Sequence, residues 1–85
     1  MVNVDIYTTP YCPFCIRAKK LLANKKVEFK EIDLSENPDK FEEMLSKSNG
    51  AKTVPQIFVN GTHIGDCDHI HHLDQKGELD KILKI

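Results

Sequence analysis

Cys12 and Cys15, separated by Pro13-Phe14, are the residues of this chain best suited to covalent chemistry. Two thiols at this spacing can close a small disulfide ring, and their setting decides whether that ring is structural or redox-active. Here the pair follows the apolar run Val4-Asp5-Ile6-Tyr7 and precedes the helix-like Ile16-Arg17-Ala18-Lys19-Lys20-Leu21-Leu22, a strand-to-helix junction. Pro13 suits the first helical position, where a missing N–H costs nothing and φ is already helical, so Cys12 becomes the N-cap. Its sulfur then faces the unpaired N–H groups of the first turn and the positive end of the helix dipole, both of which favour a thiolate. Cys15 falls one turn along.

For thiols in general, lowering the pKa by ~3 units from about 8.5 raises the ionised fraction at pH 7 roughly 30-fold. Intrinsic nucleophilicity falls by roughly 15- to 30-fold over the same range, so the lasting gain is in leaving ability. A thiol so placed suits an exchange catalyst better than a structural bridge. The competing reading of Cys-x-x-Cys is half of a zinc site, which needs two further ligands. Cys67, His63, His69, His71 and His72 are available by count, but no second Cys-x-x-Cys or spaced His pair follows, so no metal is expected. The histidines are read as solvated surface.

The elements that must position the thiols follow from periodicity. Val2 to Tyr7 reads as a strand bounded by Thr8-Thr9-Pro10, and the helix after Cys12 carries Phe14, Ala18, Leu21 and Leu22 before ending at Asn24-Lys25-Lys26. Residues 27–34 alternate strictly, as a second strand with one buried face would. Asn37 is then expected to cap a helix with Pro38 at its first position, bearing Phe41, Met44 and Leu45 and ending at Asn49-Gly50. The strand-helix-strand order predicts parallel pairing of the first two strands with a right-handed crossover. Gln56-Ile57-Phe58-Val59, Asn60-Gly61 and Thr62-His63-Ile64 form a hairpin signal. Asp66 or Cys67 caps a third helix bearing Ile70 and Leu73, Gly77 interrupts it, and Leu79, Ile82 and Leu83 close the chain in a short helical segment. Phe29, Ile32, Phe41, Ile57, Phe58 and Ile70 are core candidates. The order βαβαββα predicts an α/β fold of thioredoxin type: a four-stranded mixed sheet flanked by helices, in one domain over residues 1–85.

Composition sets outer bounds. Twelve Lys and Arg against thirteen Asp and Glu give a formal charge of -1, which offers no electrostatic reason for a nucleic-acid partner. Three cysteines, an odd number, argue against a disulfide-stapled secreted domain. Met1-Val2-Asn3-Val4-Asp5 lacks a basic, apolar leader and no later run has transmembrane length, so a cytoplasmic or similarly reducing location without membrane contact is expected.

Three segments together carry a family resemblance. Tyr11-Cys12-Pro13-Phe14-Cys15, Thr53-Val54-Pro55-Gln56-Ile57-Phe58 and Gly65-Asp66-Cys67-Asp68 resemble, in order and separation, the signature segments of the dithiol glutaredoxins, the small bacterial members above all. The resemblance spans essentially the whole chain. It implies a glutathione-dependent thiol-disulfide oxidoreductase with Cys12 as nucleophile and Cys15 as the resolving thiol for protein disulfides. It implies a cis peptide at Val54-Pro55, where an ordinary trans proline opening an edge strand would otherwise be expected. Val54 would then offer its backbone to glutathione as to an added strand, with Thr53 and Gln56 adding polar contacts and Lys52 attracting the glycine carboxylate. Tyr11 and Phe14 would flank the tripeptide. Backbone N–H groups at Cys67 would receive its γ-glutamyl carboxylate, and Asp68 its ammonium; plain helix capping is the alternative reading of this segment. The Cys67 side chain is read as a half-buried small residue at a helix start. Glutathione is implied as co-substrate, with no permanently bound cofactor, and the partners are disulfide-bearing or glutathionylated proteins, ribonucleotide reductase being one candidate. A monomer is expected. The chain differs from common family members in having Phe14 for tyrosine, Asp66 for glycine and Thr9 for a basic residue.

Overall fold

Strand β1 (Val4–Thr8) runs through the middle of the sheet because nearly every residue along it is buried, Ile6 and Tyr7 completely. The computed structural model describes residues 2–85; Met1, the first residue of the expected domain, lies outside them. On one side β1 pairs in parallel with β2 (Lys30–Asp33), in the register Asp5 to Lys30. On the other it pairs antiparallel with β3 (Gln56–Val59), Ile6 facing Ile57, and β3 pairs antiparallel with β4 (Thr62–Gly65). The sheet order is therefore β2-β1-β3-β4, mixed as expected.

Alternation along the central strands gives the sheet two apolar faces. Val4, Ile6, Ile57 and Val59 point to one, where Ala18 and Leu22 of α1 (Pro13–Asn24), Cys67 and Ile70 of α3 (Cys67–Gln75), and Leu79 and Leu83 of α4 (Glu78–Leu83) cover them. Tyr7 and Phe58 point to the other, joined by Leu34 and by Met44 of α2 (Lys40–Lys47), with rings meeting edge to face at 5.4 Å. Complete burial of a side chain such as Leu22 is worth about 1.5–3 kcal/mol, so α1 is held chiefly by its apolar stripe. Of the expected core, Ile57, Phe58 and Ile70 are buried, while Phe29, Ile32 and Phe41 are partly buried against it.

Three elements begin or end elsewhere than expected, the first strand running Val4–Thr8 rather than Val2 to Tyr7 and taking in the buried Thr8. The second strand begins at Lys30 rather than Val27 because the end of α1 takes the preceding residues: Lys26 turns left-handed (φ 59°) and the Val27 N–H closes back on the Leu22 carbonyl at 3.2 Å. Its faces are only partly covered, as befits an edge. Helix α2 begins at Lys40 rather than Pro38. Asn37 does not cap it; its backbone N–H and its side-chain amide both donate backward to the Asp33 carbonyl, and the bonds Lys40 to Asn37 and Phe41 to Pro38 make a tighter turn first. The hairpin is as read: Asn60 and Gly61 take φ 51° and 82°, the paired positive values of a two-residue turn. Gly77 (φ 75°) breaks α3 from α4. No helix among the described residues is long and apolar enough to cross a membrane.

Candidate active site

The chain leaves the central strand at Thr8 and reaches Cys12 through Tyr11, which adopts positive φ (61°) and is 98% exposed. Cys12 is the N-cap of α1, extended in backbone (φ -99°, ψ 109°), with Pro13 behind it in the first turn. The Cys15 N–H donates to the Cys12 sulfur at 3.2 Å, the capping bond the sequence called for, and such a donor favours charge on its acceptor. Cys12 is partly exposed; Cys15, one turn deeper, is only 1% exposed. Burial, then hydrogen bonding to Cys12, pushes the Cys15 thiol up to about 12, so it holds its proton at neutral pH. One sulfur is presented to a partner while the other waits beneath it as a thiol.

The Val54-Pro55 peptide is cis, and the Val54 carbonyl oxygen lies 3.9 Å from the Cys12 sulfur. The loop before β3 therefore forms one wall beside the exposed thiol. Lys52 and Thr53 are exposed on it. Gln56 is 3% exposed and faces inward: its amide nitrogen donates to the Thr53 carbonyl at 3.0 Å, with the Thr53 hydroxyl at 3.3 Å, and its amide oxygen meets His63 Nε2 at 2.6 Å. Phe14, 49% exposed, follows Pro13 in the first turn of α1, and the Arg17 guanidinium lies 5.9 Å from its ring centre.

The third segment ends β4 and starts α3. Asp66 caps α3, accepting from the His69 N–H at 2.9 Å, which leaves the first-turn N–H groups of Cys67 and Asp68 without intrahelical partners. Gly65 (φ 125°) lies against the His69 side chain so closely that a Cβ there would come within 2.6 Å of the ring. Asp68 is exposed. The Cys67 side chain is 2% exposed, deeper than the half-buried position expected, because it belongs to the core cluster between α1 and α3. Burial raises its thiol pKa, with Arg17 opposing the shift.

The four histidines do not share one environment. His69 and His72 are exposed, as expected of all four. His71 is partly buried, its Nδ1 2.8 Å from the Cys67 carbonyl, and His63 is tilted against Phe58 with ring centres 5.0 Å apart. Burial, and secondarily His69, lowers the His63 pKa. Among the described residues no three His, Cys, Asp or Glu side chains are grouped to hold a metal ion. Sequence reasoning also passed over Glu31, which accepts from Thr8 at 2.8 Å and from Lys19 at 2.9 Å, and whose carboxyl is held below its usual range first by that lysine.

A nucleophile-ready sulfur at a helix start, a protonated second thiol one turn below, and a cis-proline loop beside them on a β2-β1-β3-β4 sheet define a thioredoxin-like thiol-disulfide oxidoreductase. Comparison with known proteins narrows the class. A family profile described as Glutaredoxin matches residues 4–64. Glutaredoxin 3 of Escherichia coli strain K12 is 51% identical over 84 residues, covering 99% of this chain and 100% of the relative. Among solved structures, the glutaredoxin of Brucella melitensis is 50% identical with a TM-score of 0.84, covering 99% of this chain and 90% of that one. A buckwheat glutaredoxin-glutathione complex is 30% identical with a TM-score of 0.85, covering 95% and 76%. The chain belongs to the glutaredoxin family.

Proposed function

We propose that the protein is a glutathione-disulfide oxidoreductase that reduces glutathione mixed disulfides and protein disulfides through Cys12 and Cys15, in a reducing compartment such as the cytoplasm and as a monomer. The observation that carries the reading is the division between the two sulfurs, one partly exposed at a helix start and the other buried as a thiol pushed up to about 12. The glutathione complex of the buckwheat relative supports the choice of reductant.

In the first step the Cys12 thiolate attacks the glutathionyl sulfur of a mixed disulfide. A Cys12-glutathione disulfide forms, and the target's sulfur leaves as a thiolate and takes a proton from solvent. A second glutathione thiolate then attacks the bound glutathionyl sulfur, forming glutathione disulfide and releasing the Cys12 thiolate. While Cys15 keeps its proton it does not displace the bound glutathione, so this cycle needs one cysteine. A protein disulfide uses both: after Cys12 has attacked, Cys15 gives its proton to the departing thiolate and attacks the Cys12 sulfur, leaving a Cys12-Cys15 disulfide for two glutathiones to reduce.

Glutathione would lie along Thr53, Val54 and Pro55, pairing with the Val54 backbone as an extra strand does. Tyr11 and Phe14 would border it, Lys52 would meet its glycine carboxylate, and the N–H groups at Cys67 and Asp68 its γ-glutamyl carboxylate, with the Asp68 side chain on the ammonium. Gln56 would contribute through the Thr53 carbonyl it already holds. Protein partners would be disulfide-bearing or glutathionylated proteins, ribonucleotide reductase among the candidates.

The test is turnover of the mixed disulfide of glutathione and β-mercaptoethanol by wild type, Cys12→Ser and Cys15→Ser. Cys12→Ser should abolish turnover and Cys15→Ser should largely spare it. Equal loss in both rejects the single-cysteine cycle, and a wild type inert with glutathione but active with another dithiol reductant rejects glutathione dependence.

A further inference from the structure

His63 lies on β4, outside the three segments that carry the thiol chemistry, yet it ends a short polar chain that reaches the loop beside Cys12. The chain's direction is fixed by its far end. The Thr53 carbonyl can only accept, so the Gln56 amide nitrogen must face it, at 3.0 Å. The Gln56 oxygen is thereby turned toward His63 at 2.6 Å, and since that oxygen also only accepts, His63 Nε2 must carry the hydrogen. The ring is held in that orientation by its packing on Phe58, directly opposite it in the β3–β4 register. Gln56 is buried, so without His63 its carbonyl would lose its donor in a place water reaches poorly. The amide would then be free to rotate, and the Thr53 carbonyl would lose its fixed partner. Val54, whose own carbonyl is 3.9 Å from the Cys12 sulfur, follows Thr53 directly.

We infer that His63 is a positioning residue for the peptide-gripping loop: through Gln56 it fixes the Thr53-Val54 main chain in the orientation that receives the backbone of glutathione. This deepens the glutathione reading given above and rests on it. His63 touches neither the reacting sulfurs nor the tripeptide. Its loss weakens binding and leaves the thiol chemistry of Cys12 intact.

The test uses three substitutions that remove the ring but differ in what they return. In His63→Gln the side-chain amide nitrogen falls near the place of the imidazole Nε2; in His63→Asn it is too short to reach, and in His63→Leu it is absent. All three change the packing on Phe58, and His63→Gln, which keeps a donor for the buried Gln56 oxygen, should also retain more thermal stability than His63→Asn. His63→Leu and His63→Asn should raise KM for the mixed disulfide of glutathione and β-mercaptoethanol roughly tenfold, about one neutral hydrogen bond, at nearly constant kcat. The rate of Cys12 alkylation by iodoacetamide should stay at the wild-type value, and His63→Gln should recover most of the KM. If His63→Leu does not fold, the Gln and Asn pair makes the comparison alone. An unchanged KM in His63→Asn and His63→Leu, a fall in kcat or in the alkylation rate that accounts for the loss, or Gln no better than Asn overturns the inference. Should wild type itself fail to turn over the glutathione substrate, the glutathione reading falls separately. Backbone 15N relaxation at Thr53 and Val54 then decides the positioning role: more motion in Asn than in Gln upholds it, and equal motion ends it.

Discussion

At the residue scale, the two cysteines differ because the backbone puts one at a helix mouth and the other inside the first turn. Cys15 is the clearer thermodynamic probe. Its thiol pKa rises from an ordinary 9.0 to about 12 on folding, chiefly through burial. Between those values the unfolded chain releases a proton that the folded chain retains, so the reduced protein should lose stability as pH rises from about 9 toward 12. The slope for one such proton is roughly 1.4 kcal/mol per pH unit. Urea unfolding of reduced wild type and Cys15→Ser across this range checks it; parallel curves would show that Cys15 ionises as easily folded as unfolded. The thiol pair itself was legible from Cys-x-x-Cys, Pro13 and the flanking periodicity. The role of His63 was less so, although the signal existed: a two-residue Asn60-Gly61 turn sets Phe58 opposite His63, and strand alternation puts Gln56 on the same face. What the sequence could not supply was the inward turn of the Gln56 amide.

At the element scale, α3 does two jobs at its first turn. Asp66 caps it, and the same turn offers the N–H groups proposed to receive a carboxylate. The Asp66 charge opposes that second job while its oxygen serves the first. Asp66→Asn keeps a capping acceptor and removes the charge, so it should cost little stability and lower KM for the glutathione mixed disulfide by roughly two- to fivefold, most clearly at low salt. Asp66→Ala should cost about 1 kcal/mol of stability through the lost cap. A salt-independent, unchanged KM in Asp66→Asn would put the carboxylate elsewhere. Elements were well legible where local chemistry decides them: the Pro13 helix start, the Asn60-Gly61 turn and the Gly77 break all stand where the residues put them. Boundaries failed where two local signals competed. Val27 to Phe29 alternate like a strand but follow directly on the closing turn of α1, and Asn37 donates its amide back to the Asp33 carbonyl instead of offering its oxygen to the N–H groups of the helix it was expected to cap.

At the scale of the whole molecule, the sheet is covered on both faces, and the face under α1 is completed by the last helix. Leu79 and Leu83 of α4 are buried there, and Lys25 at the end of α1 reaches Asp74 of α3 at 2.6 Å and Asp80 of α4 at 2.8 Å. The closing helix is thus part of the core that seats the thiol-bearing one. Leu79→Ala should cost about 2–5 kcal/mol, a large share of the stability of a chain this small. A loss below about 1 kcal/mol in chemical unfolding would show that α4 lies outside the cooperative unit. The burial of Cys15 beneath Cys12 also has a kinetic corollary. Because Cys15 is buried as a thiol, it does not displace a glutathionyl group from Cys12, so in the proposed cycle that group stays on Cys12 until a second glutathione arrives. The first product therefore leaves before the second glutathione reacts, and double-reciprocal plots at several fixed concentrations of the second substrate should run side by side rather than crossing.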